Sequence, residues 1–169
     1  REIYKRCDYI LPTSPGFVGP LKSYAPNAVI ETWPQYAEPF YYPRNLEHSM
    51  REKMGLPQGF VITFAGNIGK AQGIEASIKS LKVLKDKGIK NNIQLVLIGD
   101  GANRQSCADL ASSLEVGDQV HFLGSFPGER MPEFFSLSDC LLLSLNKDPL
   151  FDETIPGKLQ SYMATGRPV

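Results

Sequence analysis

Lys70 and Lys158 stand inside glycine-bearing loops, and with Glu153 they are the residues of this 169-residue chain best placed to do chemistry. Glu153 opens the run Glu153-Thr-Ile-Pro-Gly-Lys-Leu-Gln-Ser-Tyr-Met-Ala-Thr-Gly-Arg-Pro-Val169, in which an acid, a proline, a glycine and a lysine lead into an amphipathic helix. Backbone amides of such a loop, around Ile155 and Gly157, lack acceptors of their own, and the helix dipole adds positive potential beside Lys158. That combination favours an anion, and a diphosphate fits it. The Glu153 carboxylate would accept hydrogen bonds from hydroxyl groups, or order the loop through nearby N–H groups. Asp148 and Asp152 complete an acidic cluster there, but without calcium-loop spacing, so no metal site is expected.

A second loop, Phe64-Ala-Gly-Asn-Ile-Gly-Lys-Ala-Gln-Gly73, follows an apolar run and opens a helical one. Gly66, Asn67 and Gly69 let main chain approach an anion closely, and Lys70 adds a point charge. The plainer alternative is a tight strand-to-helix turn. The spacing of Gly66, Gly69 and Gly73 is not that of a dinucleotide fingerprint, and no acid ends the next strand, so nicotinamide binding is disfavoured. Leu97-Ile-Gly-Asp-Gly101 makes another strand-end turn through Gly99, Asp100 and Gly101. His48 and His121 lie in a surface helix and within a strand, where structural roles are expected rather than base catalysis.

The elements that must position these loops alternate. Helices are predicted over 47–54, 74–87, 104–114, 131–137 and 158–164, with strands over 60–65, 93–98, 119–123 and 139–145. Such alternation predicts an α/β fold, a Rossmann-like doubly wound parallel sheet with helices on both faces. Residues 46–169 form that domain. Residues 1–45 instead carry short strands at 8–12 and 28–31, a helix start at Ser14, and an aperiodic Pro- and aromatic-rich stretch that reads as a linker.

The segment from Met163 to Val169, with Glu153 before it, resembles the donor-binding loop of retaining glycosyltransferases of family 4, which have the two-domain GT-B fold. That family carries Glu-x7-Glu, and here Ser161 stands where the second acid would be. The Gly-Arg and Lys-Gly pairs of its glycine loop are replaced by Gly66-Asn67 and Gln72-Gly73. The resemblance implies the C-terminal, donor-binding half of an enzyme, incomplete and inactive alone, with 1–45 closing the other domain. It implies transfer of a sugar from a nucleotide-diphosphate donor, with a UDP-sugar preferred, to an acceptor hydroxyl with retention of configuration.

By the same resemblance, Glu153 contacts the donor sugar, while Lys158 and Lys70 stabilise the leaving diphosphate. Gly99, Asp100, Gly101 and Ser161 adjoin the nucleotide, and Phe126 walls the base. No cofactor beyond the donor and no metal are implied. The variant Pro-Gly-Lys-Leu-Gln-Ser-Tyr-Met-Ala is similar to bacterial transferases of amino or deoxy sugars that build surface polysaccharides. Their work lies on the cytoplasmic face of the membrane, with acceptor and membrane contacts made by the absent domain. A non-catalytic nucleotide-sugar-binding module is the alternative.

Composition narrows the partners. Eighteen basic residues balance eighteen acidic ones, which leaves no net field to draw the chain onto nucleic acid. Cys7, Cys107 and Cys140 are scattered, as expected for reduced thiols in a cytoplasmic protein.

Overall fold

A computed structural model describes residues 2–89 and 92–169. The chain runs β1 (Tyr9–Ile10), α1 (Val18–Tyr24), β2 (Val29–Ile30), α2 (Met50–Lys53), β3 (Phe60–Ala65), α3 (Ile74–Asp86) and β4 (Ile93–Ile98). There follow α4 (Arg104–Ser113), β5 (Val120–Gly124), α5 (Met131–Leu137), β6 (Cys140–Leu141), α6 (Pro149–Asp152) and α7 (Lys158–Ala164).

The main sheet is parallel, in the order β5-β4-β3-β6. Side-chain alternation along its strands decides which helices cover which face. Ile62, Phe64, Leu95 and Leu97 pack with Ile74 and Ile78 of α3 and with Cys107 and Ala111 of α4. Val61, Ala65, Val96 and Ile98 point the other way, onto Phe134 and Phe135 of α5 and Tyr162 of α7. The chain steps outward from β3 to β5, then returns to place β6 on the far side of β3. That reversal opens a crevice at the strand C-termini.

The apolar run 139–145 is mostly not strand. Only Cys140 and Leu141 pair with β3, and Leu142 N–H adds one bond to Thr63 O at 2.8 Å. Beyond it, Ser144 Oγ donates to Gln72 O at 2.6 Å and Asn146 N–H to Ala71 O at 2.8 Å, so the segment is drawn off to brace the glycine loop. The helix predicted over 47–54 shortens to Met50–Lys53, and α6 was unforeseen. In the first forty residues the two short strands form a separate parallel pair, Tyr9 with Val29 and Ile10 with Ile30.

One polar knot ties the N-terminal ends of β3 and β6. Arg51, 3% exposed, donates to Leu137 O, Gly59 O and Asp139 Oδ2, each at 2.8 Å. Asp139 Oδ2 also accepts from Val61 N–H at 2.7 Å. A buried ion pair with this many hydrogen bonds is the kind whose desolvation is offset.

Candidate functional site

The crevice holds a cavity of about 400 Å³ at the C-terminal ends of β3, β4 and β5. Gly66 and Asn67 after β3, Gly99 and Asp100 after β4, and Phe126 after β5 line it, with Lys158 and Ser161 from α7. These seven residues of the sequence reading are therefore gathered at one place. Gly157 lines an adjoining cavity of about 460 Å³, which shares Lys158 and Ser161 with the first. Lys70, Gly69, Gly101 and Ile155 line neither. Lys70 is exposed, and the Ile155 N–H is held by Ser14 Oγ at 2.7 Å. Glu153 is exposed on a different groove, beside Pro149 and Leu150, with its carboxylate against Gly16.

The glycines are required for close approach. Gly99 has φ 125° and a Cβ there would lie 2.0 Å from Gly66 O; Gly66 has φ 135° and a Cβ there would lie 3.1 Å from Lys158 Nζ. Their amides, however, are not offered to a ligand. Gly66 N–H donates to Ile98 O at 2.9 Å, Gly99 N–H to Gly124 O at 2.7 Å, and Gly101 N–H to Asp100 Oδ1 at 2.8 Å. The glycine turns therefore bring backbone close while Lys158 carries the charge.

Lys158 is the unusual group. Its Nζ lies 3.8 Å from the centroid of the Phe64 ring and donates to Gln72 Oε1 at 3.2 Å. No carboxylate pairs with it among the described residues. Burial pulls its pKa from the usual lysine range down to about 8, because a desolvated ammonium favours its neutral form. An anion entering the cavity would supply the missing counter-charge.

The opposite wall is aromatic. Phe126 packs on Phe134 with centroids 4.7 Å apart, Tyr41 stacks on Phe135 at 5.9 Å, and Phe135 meets Tyr162 edge-on at 5.0 Å. Tyr162, 1% exposed, takes a hydrogen bond from Ala65 N–H at 2.9 Å and donates to Ala65 O at 3.3 Å. It thereby locks α7 onto the end of β3, and burial pushes its phenol far up. Sequence reasoning missed Tyr41, Gln72 and Tyr162 as site residues. Tyr41 lies in an aperiodic stretch with no local signal, whereas Gln72 and Tyr162 sat within quoted motifs and could have been found.

Among the described residues no cluster of His, Cys, Asp or Glu could hold a metal ion. His121 Nε2 on β5 is hydrogen-bonded to Gln94 Oε1 on β4 at 2.6 Å, and burial lowers its pKa. Asp148 caps α6 by accepting from Leu150 N–H at 2.8 Å. Among the described residues no helix is long and apolar enough to cross a membrane.

The arrangement has known counterparts. The chain is 27% identical over 122 residues to the 2-deoxystreptamine glucosyltransferase of Streptomyces kanamyceticus, covering 71% of this chain and 30% of that protein. It superposes on sucrose-phosphate synthase of Thermosynechococcus elongatus with a TM-score of 0.79 at 21% identity, over 99% of this chain and 41% of the other. The Anabaena protein HepE, solved in complex with UDP-glucose, gives a TM-score of 0.78 at 16% identity over 99% of this chain and 46% of its own. These likenesses give the fold of one half of a GT-B glycosyltransferase, and the chain spans under half the length of each relative. The profile described as Glycosyl transferases group 1 matches residues 48–169, most of the sequence, and this chain belongs to that family.

Proposed function

We propose that this chain is the donor-binding half of a retaining, family 4 glycosyltransferase that takes its sugar from a UDP-linked donor. The observation that carries the reading is Lys158, an ammonium without a counter-ion in a cavity at the switch point of a parallel sheet. A diphosphate would lie against it, with the base toward Phe126. As the glycosidic bond breaks, negative charge grows on the diphosphate, and a fixed cation in a low-dielectric site stabilises that charge more than it stabilises the ground state. The acceptor would be a hydroxyl of a glycan or glycolipid in bacterial surface-polysaccharide synthesis, reached through a partner domain. An amino or deoxy sugar is the transferred group favoured by the helix sequence around Lys158.

A melting screen of the full-length protein against UDP, uridine and NAD(H) tests the donor. A ligand at about 100 times its dissociation constant adds roughly 2.7 kcal/mol, so UDP should raise the melting temperature while uridine and NAD(H) leave it nearly unchanged. Equal shifts with UDP and uridine would remove the phosphate site. A second reading, a binding module without turnover, is favoured by the distance of Glu153 from the cavity. Release of UDP from a UDP-sugar in the presence of acceptor extract excludes that reading.

A further inference from the structure

The main cavity joins a polar, cationic region to an aromatic one. Lys158 lies against Gly66 at the first, and Phe126, Met131 and Phe135 line the second. A nucleoside diphosphate laid along it sets phosphate at Lys158 and base at Phe126, so its ribose must pass the wall between them. Ser161 stands on that wall. It follows Lys158 by three residues on α7, about 4.5 Å farther along the same helix face. Tyr41, stacked on Phe135, stands beside it.

A ribose presents two neighbouring O–H groups, and both need acceptors when they leave water. Residues 158–164 of α7 carry no acid, and Ser161 offers one small hydroxyl. The Glu38 carboxylate, in the linker, lies 3.5 Å from Ser161 Oγ. No lysine or arginine pairs with it among the described residues. Its backbone is held, because Tyr41 N–H donates to Glu38 O at 3.0 Å and the Tyr41 ring is packed on the core. Glu38 lines the adjoining cavity, which shares Lys158 and Ser161 with the main one, and its charge is felt at Tyr41 on the main cavity: the Tyr41 phenol is pushed up by burial first and by Glu38 second.

We infer that Glu38 is a specificity residue for ribose, its carboxylate accepting the 2′- and 3′-hydroxyls of the bound nucleotide from the linker side. The inference rests on the nucleotide reading given above. Glu38 is exposed, so its removal should leave the fold intact, and turning its carboxylate from the adjoining cavity toward a ribose would take a rotamer change. A carboxylate that accepts two hydroxyls should discriminate between ribose and its deoxy forms, which a purely structural linker residue would not do.

The test is calorimetric titration of the full-length protein with UDP and with its 2′-deoxy and 3′-deoxy analogues. Wild type should bind UDP about tenfold more tightly than either analogue, the scale of one lost hydrogen bond to a charged group. In Glu38→Ala that ratio should collapse toward one with the unliganded melting temperature unchanged, and Glu38→Gln should be intermediate. Adding Ser161→Glu to Glu38→Ala returns an acid to the wall shared by the two cavities and should restore the ratio. If wild type binds UDP and Glu38→Ala keeps the full ratio, the inference is overturned while the nucleotide site stands. If wild type binds no UDP, the site itself is wrong and Glu38 falls with it.

Discussion

Two cations are drawn into the domain at opposite ends of the strand pair β3 and β6, and they are held in opposite ways. At the N-terminal end Arg51 meets a carboxylate and two carbonyls, so its charge and its geometry are both matched. At the C-terminal end Lys158 meets one amide oxygen and the face of Phe64, with burial and no carboxylate. Burying a charge costs free energy in both places, but only the first is matched by an opposite charge within the protein. On the function proposed above, the cation paired with a carboxylate is a structural tie and the one without is the contact for an anionic ligand.

The contrast is broken most forcefully at Arg51. Arg51→Ala leaves Asp139 partly buried and unpaired and frees the Leu137 and Gly59 carbonyls, which should cost about 3–5 kcal/mol in chemical denaturation. Any folded fraction should retain its UDP affinity. Lys158→Ala should do the reverse. UDP affinity should fall about 30-fold by titration, the loss of one charge-assisted contact of roughly 2 kcal/mol, with uridine affinity little changed. Lys158→Met, which keeps the packing on Phe64 without the charge, should melt at or above the wild-type temperature. A strongly destabilised Lys158→Met would mean that the ammonium is a structural tie after all, and the distinction between the two ends would disappear.

How much of this was legible in the sequence follows the range of the forces involved. The strands over 60–65 and 93–98 and the helices over 131–137 and 158–164 have the expected bounds, because apolar period is a local property. Gly66 and Gly99 were legible as strand-end turns, and both have positive φ, but their amides were misjudged, because the acceptors lie on neighbouring strands. Arg51 was invisible: Met-Arg-Glu-Lys reads as a solvated turn of helix, and the partners Leu137 and Asp139 are 86 and 88 residues away. The run 139–145 misled for the same reason. Its leucines suggest a long strand, yet Ser144 and Asn146 donate to carbonyls of the glycine loop instead of pairing with β3. Glu153 was chosen by motif position, and motif position does not say which groove a loop residue faces.

Titration sharpens the comparison further, since Lys158 changes charge at about pH 8 and an arginine does not in the accessible range. The folded pKa lies below the unfolded lysine value, so from about pH 8 upward the unfolded chain binds more protons. The unliganded protein should therefore gain stability as pH rises through that window. Binding has the opposite sign. A diphosphate selects the protonated amine, so UDP affinity should be full below about pH 8 and fall about tenfold between pH 7 and pH 9. Calorimetry in buffers of different ionisation heat should show proton uptake on binding near pH 8. A flat affinity profile would separate the ligand from Lys158.

The smallest expected effect lies at Gln72, whose Oε1 is the side-chain acceptor of the Lys158 ammonium. In Gln72→Leu the charged form loses that hydrogen bond while the neutral form loses little, so the free pKa should drop further below the lysine range. UDP affinity at pH 7 should fall on the order of threefold, the scale of one modest hydrogen bond. The informative quantity is the position of the pH midpoint rather than the affinity. If Gln72 stabilises the waiting ammonium, the midpoint moves below that of wild type and the affinity recovers at pH 6. A midpoint unmoved, with affinity lowered equally at every pH, would mean that Gln72 shapes the loop and leaves Phe64 and the incoming anion as the partners that keep Lys158 charged.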